Sequence, residues 1–231
     1  VAAQRFKVNH ELLAKSRPVF WGREKICWIV GGAGAGKTTI SKALSDQLGI
    51  PIYDMDACIY GEYHSRFRQG VHPVNLAWAS APNGLAWLLD MSWEEFDGFN
   101  RAALPEYLDL LAEDIARMPP GAALIIDGGI CNPGLLAQAF PARQIVCLEA
   151  PGRSSEELWS ANEERRAMKD FIDPLPEPEK KWRKFLEFDS NITATMLAEC
   201  RENQIRVLSW REGETVAELA GRTAEALGLS R

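Results

Sequence analysis

The sequence predicts an α/β fold in which a five-stranded parallel sheet is covered by helices on both faces. Three observations carry that prediction. Five short apolar runs, KICWIV (25–30), IPIYDM (50–55), AALIID (122–127), QIVCLEA (144–150) and QIRVLS (204–209), alternate with longer stretches of helical pattern, the order that builds a parallel sheet. The runs are continuously apolar rather than alternating, as ALII and IVCL show, which is how strands buried on both faces read. A length of 231 residues, 46% hydrophobic and 25% charged, suits one domain with a sizeable core, so residues 1–231 are expected to fold as a single unit.

The elements follow in order. The first strand, 25–30, runs into a glycine-rich turn and a helix over 37–48. The second strand ends in IYDMDACIY, with two acids at its close. About 65 residues then precede the third strand, whereas a crossover needs only about a dozen. This insertion, about 57–118, contains a helical pattern over 98–117 and the tryptophans Trp78, Trp87 and Trp93; its position makes it the candidate acceptor-binding cap, and the tryptophans read more readily as core than as a substrate platform. Helices are expected at 133–139 after the third strand, at 153–171 after the fourth, and at 179–202 after the proline-rich DPLPEPEKK (173–181). The last helix, 214–227, sets Val216, Leu219, Ala220, Thr223 and Leu227 on one stripe. No internal repeat is found.

Composition removes several classes of function. A net charge of −6 argues against a protein that coats nucleic acid, which would be basic. The cysteines Cys27, Cys58, Cys131, Cys147 and Cys200 form no C-x-x-C pair and no spacing with histidine that suggests zinc or a disulfide framework. No run of 18 apolar residues and no apolar signal-peptide core occurs, so neither a membrane nor a secretory setting is expected. A cytoplasmic, reducing environment fits these features.

The turn after the first strand reads Gly31-Gly32-Ala33-Gly34-Ala35-Gly36-Lys37-Thr38 and is followed by Thr39. It fits G-x-x-x-x-G-K-[ST] without a mismatch, between a strand and a helix as the motif requires. Glycines let successive backbone N–H groups converge on a β-phosphate, and the helix N-terminus adds partial positive charge. Lys37 is positioned to reach the β- and γ-phosphates and the Thr38 hydroxyl to ligate Mg2+. A dinucleotide fingerprint fails on spacing, because G-x-G-x-x-G cannot be laid over residues 31–37.

On these residues the chain resembles a P-loop kinase of the nucleotide-kinase and shikimate-kinase-like group. The resemblance spans most of the chain in element order and is sharpest at residues 31–38. It implies the P-loop NTPase three-layer fold, a strand order 2-3-1-4-5, a site along the carboxyl ends of the strands, and ATP with Mg2+ as cofactors.

Asp54 and Asp56 are similar to the D-x-D that shikimate-kinase-like enzymes carry at this point. Read as an extended strand, the two share a face with Cα atoms roughly 6.6 Å apart. One carboxylate can then accept the proton of an attacking hydroxyl while the other holds magnesium through water, with Asp54 also read as contacting the acceptor and Asp56 also as a metal group. The alternative is that the acids end the strand and cap the next helix. Asp127, after four apolar residues, is presented as a Walker B acid and joins Thr38 and Asp56 as a metal group. Gly128 and Gly129 would admit a substrate close to the backbone.

Nucleotide-kinase-like enzymes bring lid arginines after the fourth strand, which here points to Arg165 and Arg166 in a lid over 153–181. A guanidinium there stabilises charge on a phosphoryl group in transit; Arg183 is a weaker candidate. Arg66 and Arg68, two apart on a presumed extended segment, are read as recognising an anionic acceptor. Trp210 and Arg211 follow the last strand, where stacking on adenine is possible. His64 and His72 are expected to meet solvent or a local hydrogen bond.

Together these readings predict an ATP-dependent phosphotransferase acting on a small hydroxylated, anionic metabolite, with a small-molecule acceptor as partner and neither nucleic acid nor membrane. A nucleoside monophosphate kinase, or a nucleotide-dependent ATPase or switch, is the alternative. The guanine-reading N-K-x-D and the L-S-G-G-Q signature are both absent.

Overall fold

The computed structural model describes residues 6–161 and 163–229, and of Glu164 only the backbone; the first five and last two residues of the expected 1–231 unit lie outside it. Five parallel strands, β1 (Ile26–Gly31), β2 (Ile52–Asp54), β3 (Leu124–Asp127), β4 (Ile145–Glu149) and β5 (Arg206–Ser209), form one sheet in the order β2-β3-β1-β4-β5. This is the three-layer P-loop arrangement implied by the resemblance.

The continuous apolar runs explain the layers. Along β1, Ile26, Trp28 and Val30 join the core on one face while Cys27 and Ile29 join that on the other. β3 and β4 divide in the same way, Ile126 and Cys147 to the first face, Ile125 and Val146 to the second. Period two in a strand needs apolar residues at every position when both faces are covered. The first face is covered by α1 (His10–Trp21), by α6 (Trp93–Arg117) in the insertion, and by α10 (Pro178–Glu202); the second by α2 (Lys37–Leu48) and α11 (Val216–Leu227).

Several elements differ from the sequence expectations for local reasons. α6 starts at Trp93 rather than near 98 because Ser92 and Glu95 form a reciprocal capping box ahead of the apolar pattern. The helix expected over 153–171 is two, α8 (Ser155–Ser160) and α9 (Glu163–Ile172), and that expected over 133–139 is the single turn α7 (Pro133–Leu136). The insertion also holds α3 (Met55–Tyr60), α4 (Pro73–Ala79) and α5 (Gly84–Leu89). Val216 is exposed, while Leu219, Ala220, Thr223 and Leu227 are buried as the stripe requires.

α1 was not foreseen. Asn9 caps it by accepting from the Leu12 N–H at 3.0 Å, and Leu12, Leu13, Ser16 and Phe20 form its buried stripe. Among the described residues no helix is long and apolar enough to cross a membrane, and all five cysteines are free thiols.

Candidate active site

The P-loop lies between β1 and α2. Gly36, with φ of 90°, starts the helix, and the Trp210 ring packs so closely on it that a Cβ there would lie 3.1 Å from the ring. The Trp210 indole N–H also donates to the Ala35 carbonyl at 2.9 Å, so one side chain from beyond β5 both braces the loop and covers its turn. From the other side α10 presses Thr193 against Gly32, where any Cβ would collide with its hydroxyl. The Lys37 ammonium donates to the carbonyls of Gly31 at 2.8 Å and Gly32 at 3.1 Å, which holds its charge over the cradle.

Sheet register brings the acids to this loop. Asp54 at the end of β2 is the direct neighbour of Asp127 at the end of β3, and Asp127 is the neighbour of Ile29 on β1. Adjacent strands are about 4.8 Å apart. The extended reading of Asp54 and Asp56 is corrected here: β2 ends at Asp54, and Asp56 lies in the first turn of α3. Asp54 caps that helix, accepting from the Ala57 N–H at 2.9 Å, which turns the chain and swings Asp56 across the sheet end.

Asp56 therefore packs on the backbone of Gly128 and Gly129. A Cβ on Gly128 would land on its carboxylate, one on Gly129 would strike Met55, and the Gly129 N–H supports the carboxylate. Asp56 is exposed to solvent on one side and packed against the Gly128–Gly129 backbone on the other. Burial is the main cause that pushes its carboxyl above the ordinary range; Asp54 and Asp127 add to this and Lys37 opposes it. Asp127 is raised too, by burial first, against the Thr38 and Ser41 hydroxyls that flank it and the charge of Lys37.

On the far side of the loop a cleft of about 610 Å³ is lined by Gly34, Gly36, Thr39, Arg153, Trp210 and Arg211 among others, within the size range of small-molecule sites. Over its rim, α8 and α9 approach the loop: Leu158 and the Arg165 guanidinium are the nearest side chains to Gly34. Arg165 ties the two helices by donating to the Leu158 carbonyl at 3.2 Å. Arg166 is exposed, so the adjacent arginines differ in position. Arg183 is exposed and bonds within its own helix.

Arg66, half-buried, and Arg68, exposed, are both engaged by carboxylates of the insertion, and the reading of them as acceptor-binding residues is corrected. Arg66 pairs with Asp114 at 2.8 Å and Glu62 at 3.0 Å, and Arg68 pairs with Asp109 at 2.5 Å and Glu113 at 2.8 Å. Asp114 also accepts from the Tyr53 hydroxyl at 2.7 Å, which pins the insertion to β2. His72 is buried; its Nδ1 accepts from the Arg68 N–H at 3.0 Å while Nε2 faces Asp109 at 3.2 Å. Trp78 is buried, and Trp87 and Trp93 pack on the core. The sequence reading missed Arg153, Thr193 and Asn132, none of which stands in a motif.

The shikimate kinase family model matches residues 33–71, a segment that runs from inside the P-loop through Asp54 and Asp56. Over that segment the chain is shikimate-kinase-like. No curated protein matches the chain. Among solved structures, the Thermus thermophilus protein TT1252 is 18% identical, aligned over 90% of this chain and 100% of its own with a TM-score of 0.48. The shikimate kinase of Acinetobacter baumannii in complex with shikimate is 18% identical, aligned over 87% of this chain and 91% of its own with a TM-score of 0.42.

Proposed function

We propose that the chain is an ATP-dependent phosphotransferase that moves the γ-phosphoryl group to a hydroxyl of a small molecule. The observation that carries this reading is the placing of the Asp56 carboxylate on Gly128 and Gly129, within the electrostatic reach of Lys37, at the open end of a P-loop. A carboxyl whose pKa is raised toward the working pH is a better general base than an ordinary one.

The shikimate kinase match supports the kinase class. In the proposed reaction the P-loop N–H groups and Lys37 hold the triphosphate, the base lies in the cleft against Trp210, and Arg165 adds positive charge as the phosphoryl group moves. The acceptor hydroxyl forms the new O–P bond as the bond from the γ-phosphorus to the β–γ bridging oxygen breaks. Its proton passes to Asp56, and ADP is the leaving group. Asp54, engaged as a helix cap, is thereby a positioning residue for Asp56, and the role of base, open between the two carboxylates in the sequence, falls to Asp56.

The residues present fit Mg2+. Asp127 Oδ1 is buried without a hydrogen-bond partner, beside the Thr38 hydroxyl, and an orphaned acceptor of this kind is suited to a cation or its water. Among the described residues no group of three or more His, Cys, Asp or Glu forms a cage, and magnesium at phosphates does not need one. When bound it would neutralise charge on the β- and γ-phosphates.

With Arg66 and Arg68 held in ion pairs, the reason for an anionic acceptor is gone, while the alcohol remains. The test is a panel of hydroxylated metabolites and nucleoside monophosphates, assayed for ADP and for phosphorylated product, with Asp56→Asn in parallel. Transfer to an alcohol that falls at least about 10²-fold in Asp56→Asn is expected. Efficient transfer to a nucleoside monophosphate, undiminished in that variant, would overturn the reading, and ADP release without any phosphorylated product would favour an ATPase.

A further inference from the structure

Gly129 and the residues that follow it line a second cavity of about 20 Å³, room for about one water-sized group. Gly129 belongs to both places: its N–H faces the Asp56 carboxylate and its backbone lines the cavity. The remaining wall includes Asn100, Leu104, Tyr107, Cys131 and Asn132. Among the described residues, no lysine, arginine or histidine lines it.

Asn132 is 1% exposed, and its orientation is forced. Its Nδ2 lies 3.0 Å from Asp97 and 3.4 Å from Glu199, and carboxylates only accept, so the amide must turn its N–H groups to them. The other end, Oδ1, is left buried with no protein partner. A buried carbonyl without a donor is costly, a cost that a hydroxyl hydrogen would relieve.

The charge around the cavity has one sign in excess. Asp56, Asp97 and Glu199 all act on the Cys131 thiol in its wall, opposed by Lys37. Arg101, the nearby cation, is paired with Asp97 at 2.7 Å and with Glu199 at 2.5 Å. A carboxylate or phosphate brought here would be desolvated beside Asp97 and Glu199, with the Arg101 guanidinium already committed to them, which is costly.

We propose that the acceptor is an uncharged molecule with at least two hydroxyls, one reacting at Asp56 and another seated in the cavity beside Gly129 and donating to Asn132 Oδ1. This rests on the phosphotransferase reading above and narrows its substrate class.

The test uses the full chain with ATP and Mg2+ and pairs of compounds that differ in charge: glycerol with glycerate, glucose with glucuronate, and the amide of shikimate with shikimate, nucleoside monophosphates completing the anionic set. Phosphorylated product is read by mass spectrometry. For a reactive pair the uncharged member should have a kcat/KM at least about tenfold higher, a difference of about 1.4 kcal/mol. In Asn132→Leu the KM of that member should rise about tenfold with the KM of ATP unchanged; its thermal unfolding is measured alongside, and the comparison within pairs in the unaltered protein stands whether or not the variant folds. A faster acidic member, or an uncharged substrate as well used by a folded Asn132→Leu variant, would overturn the inference and leave the phosphotransferase intact. No phosphorylated product from any compound would overturn the phosphotransferase reading, and the inference with it.

Discussion

At Gly128 one backbone position decides whether Asp56 can stand beside the P-loop. Its φ of 70° is left-handed and a Cβ would occupy the Asp56 carboxylate. Gly128→Ala should cost about 1–2 kcal/mol from the left-handed backbone alone and displace Asp56, so turnover should fall more steeply than stability; parallel unfolding and turnover measurements check this. Lys37→Ala should lower kcat/KM about 10²–10³-fold with little change in melting temperature, because the ammonium touches loop carbonyls and not the core. Near-normal turnover in that variant would remove the P-loop from the mechanism. The loop and its lysine were legible because their chemistry lies within nine consecutive residues. The ion pairing of Arg66 was not, since its partner Asp114 is 48 positions away; a short spacing says which side chains could face a ligand, and nothing of the carboxylates that a fold brings to them.

Among elements, the pair α8 and α9 separates two arginines that are adjacent in sequence. Arg165 reaches Gly34 while Arg166 is exposed, so Arg165→Ala should lower kcat about 10²-fold with a smaller change in the KM of ATP, and Arg166→Ala should leave both nearly as they were. Equal losses in steady-state kinetics would contradict this assignment. Amide hydrogen exchange over 153–172 should slow on addition of ATP analogue and Mg2+, as a lid that closes on nucleotide requires. Strands, and helices with strong periodicity, were legible because burial on two faces leaves a mark on every residue. Boundaries were less so: the end of β2 was set by the Asp54 cap rather than by the apolar pattern, and that one-residue event changed where Asp56 points. Helix α1 was missed because Pro18 interrupts a modest stripe, and its burial against α6 is tertiary.

For the molecule as a whole, a cluster around the buried Asp109 of α6 fastens α1 and the early part of the insertion to that sheet-facing helix. Lys15 from α1, at 2.8 Å, and Arg68 and His72 from the insertion all contact Asp109. Burial pushes the Asp109 carboxyl up, but the hydrogen bonds from Lys15 and His72 and the charges of Lys15 and Arg68 prevail and hold it below its ordinary value. Burial lowers His72, against the hydrogen bond to Asp109 and with the charge of Arg68, Glu113 acting the other way. A depressed histidine binds fewer protons folded than unfolded, so its contribution to stability is lost as pH falls below the ordinary 6.5 toward the lowered value. A depressed carboxylate contributes above the ordinary 3.8 and loses that contribution as pH falls through the folded value. Melting temperature should therefore fall in acid, and Asp109→Asn should lessen the fall at the lowest pH while costing about 1–3 kcal/mol at neutral pH, about 2–4 °C per kcal/mol in a chain of this size. An unchanged acid limb in that variant would show that the cluster does not control acid stability.

The measurement that tests the account most directly is a crystal structure with a non-hydrolysable ATP analogue and Mg2+. The account predicts the triphosphate along Gly31 to Thr39 with Lys37 turned from the loop carbonyls to the phosphates, the metal at Thr38 on the Asp127 side, the base in the cleft against Trp210, and the γ-phosphate directed at Asp56. A nucleotide bound elsewhere, or a γ-phosphate directed away from Asp56, would contradict it.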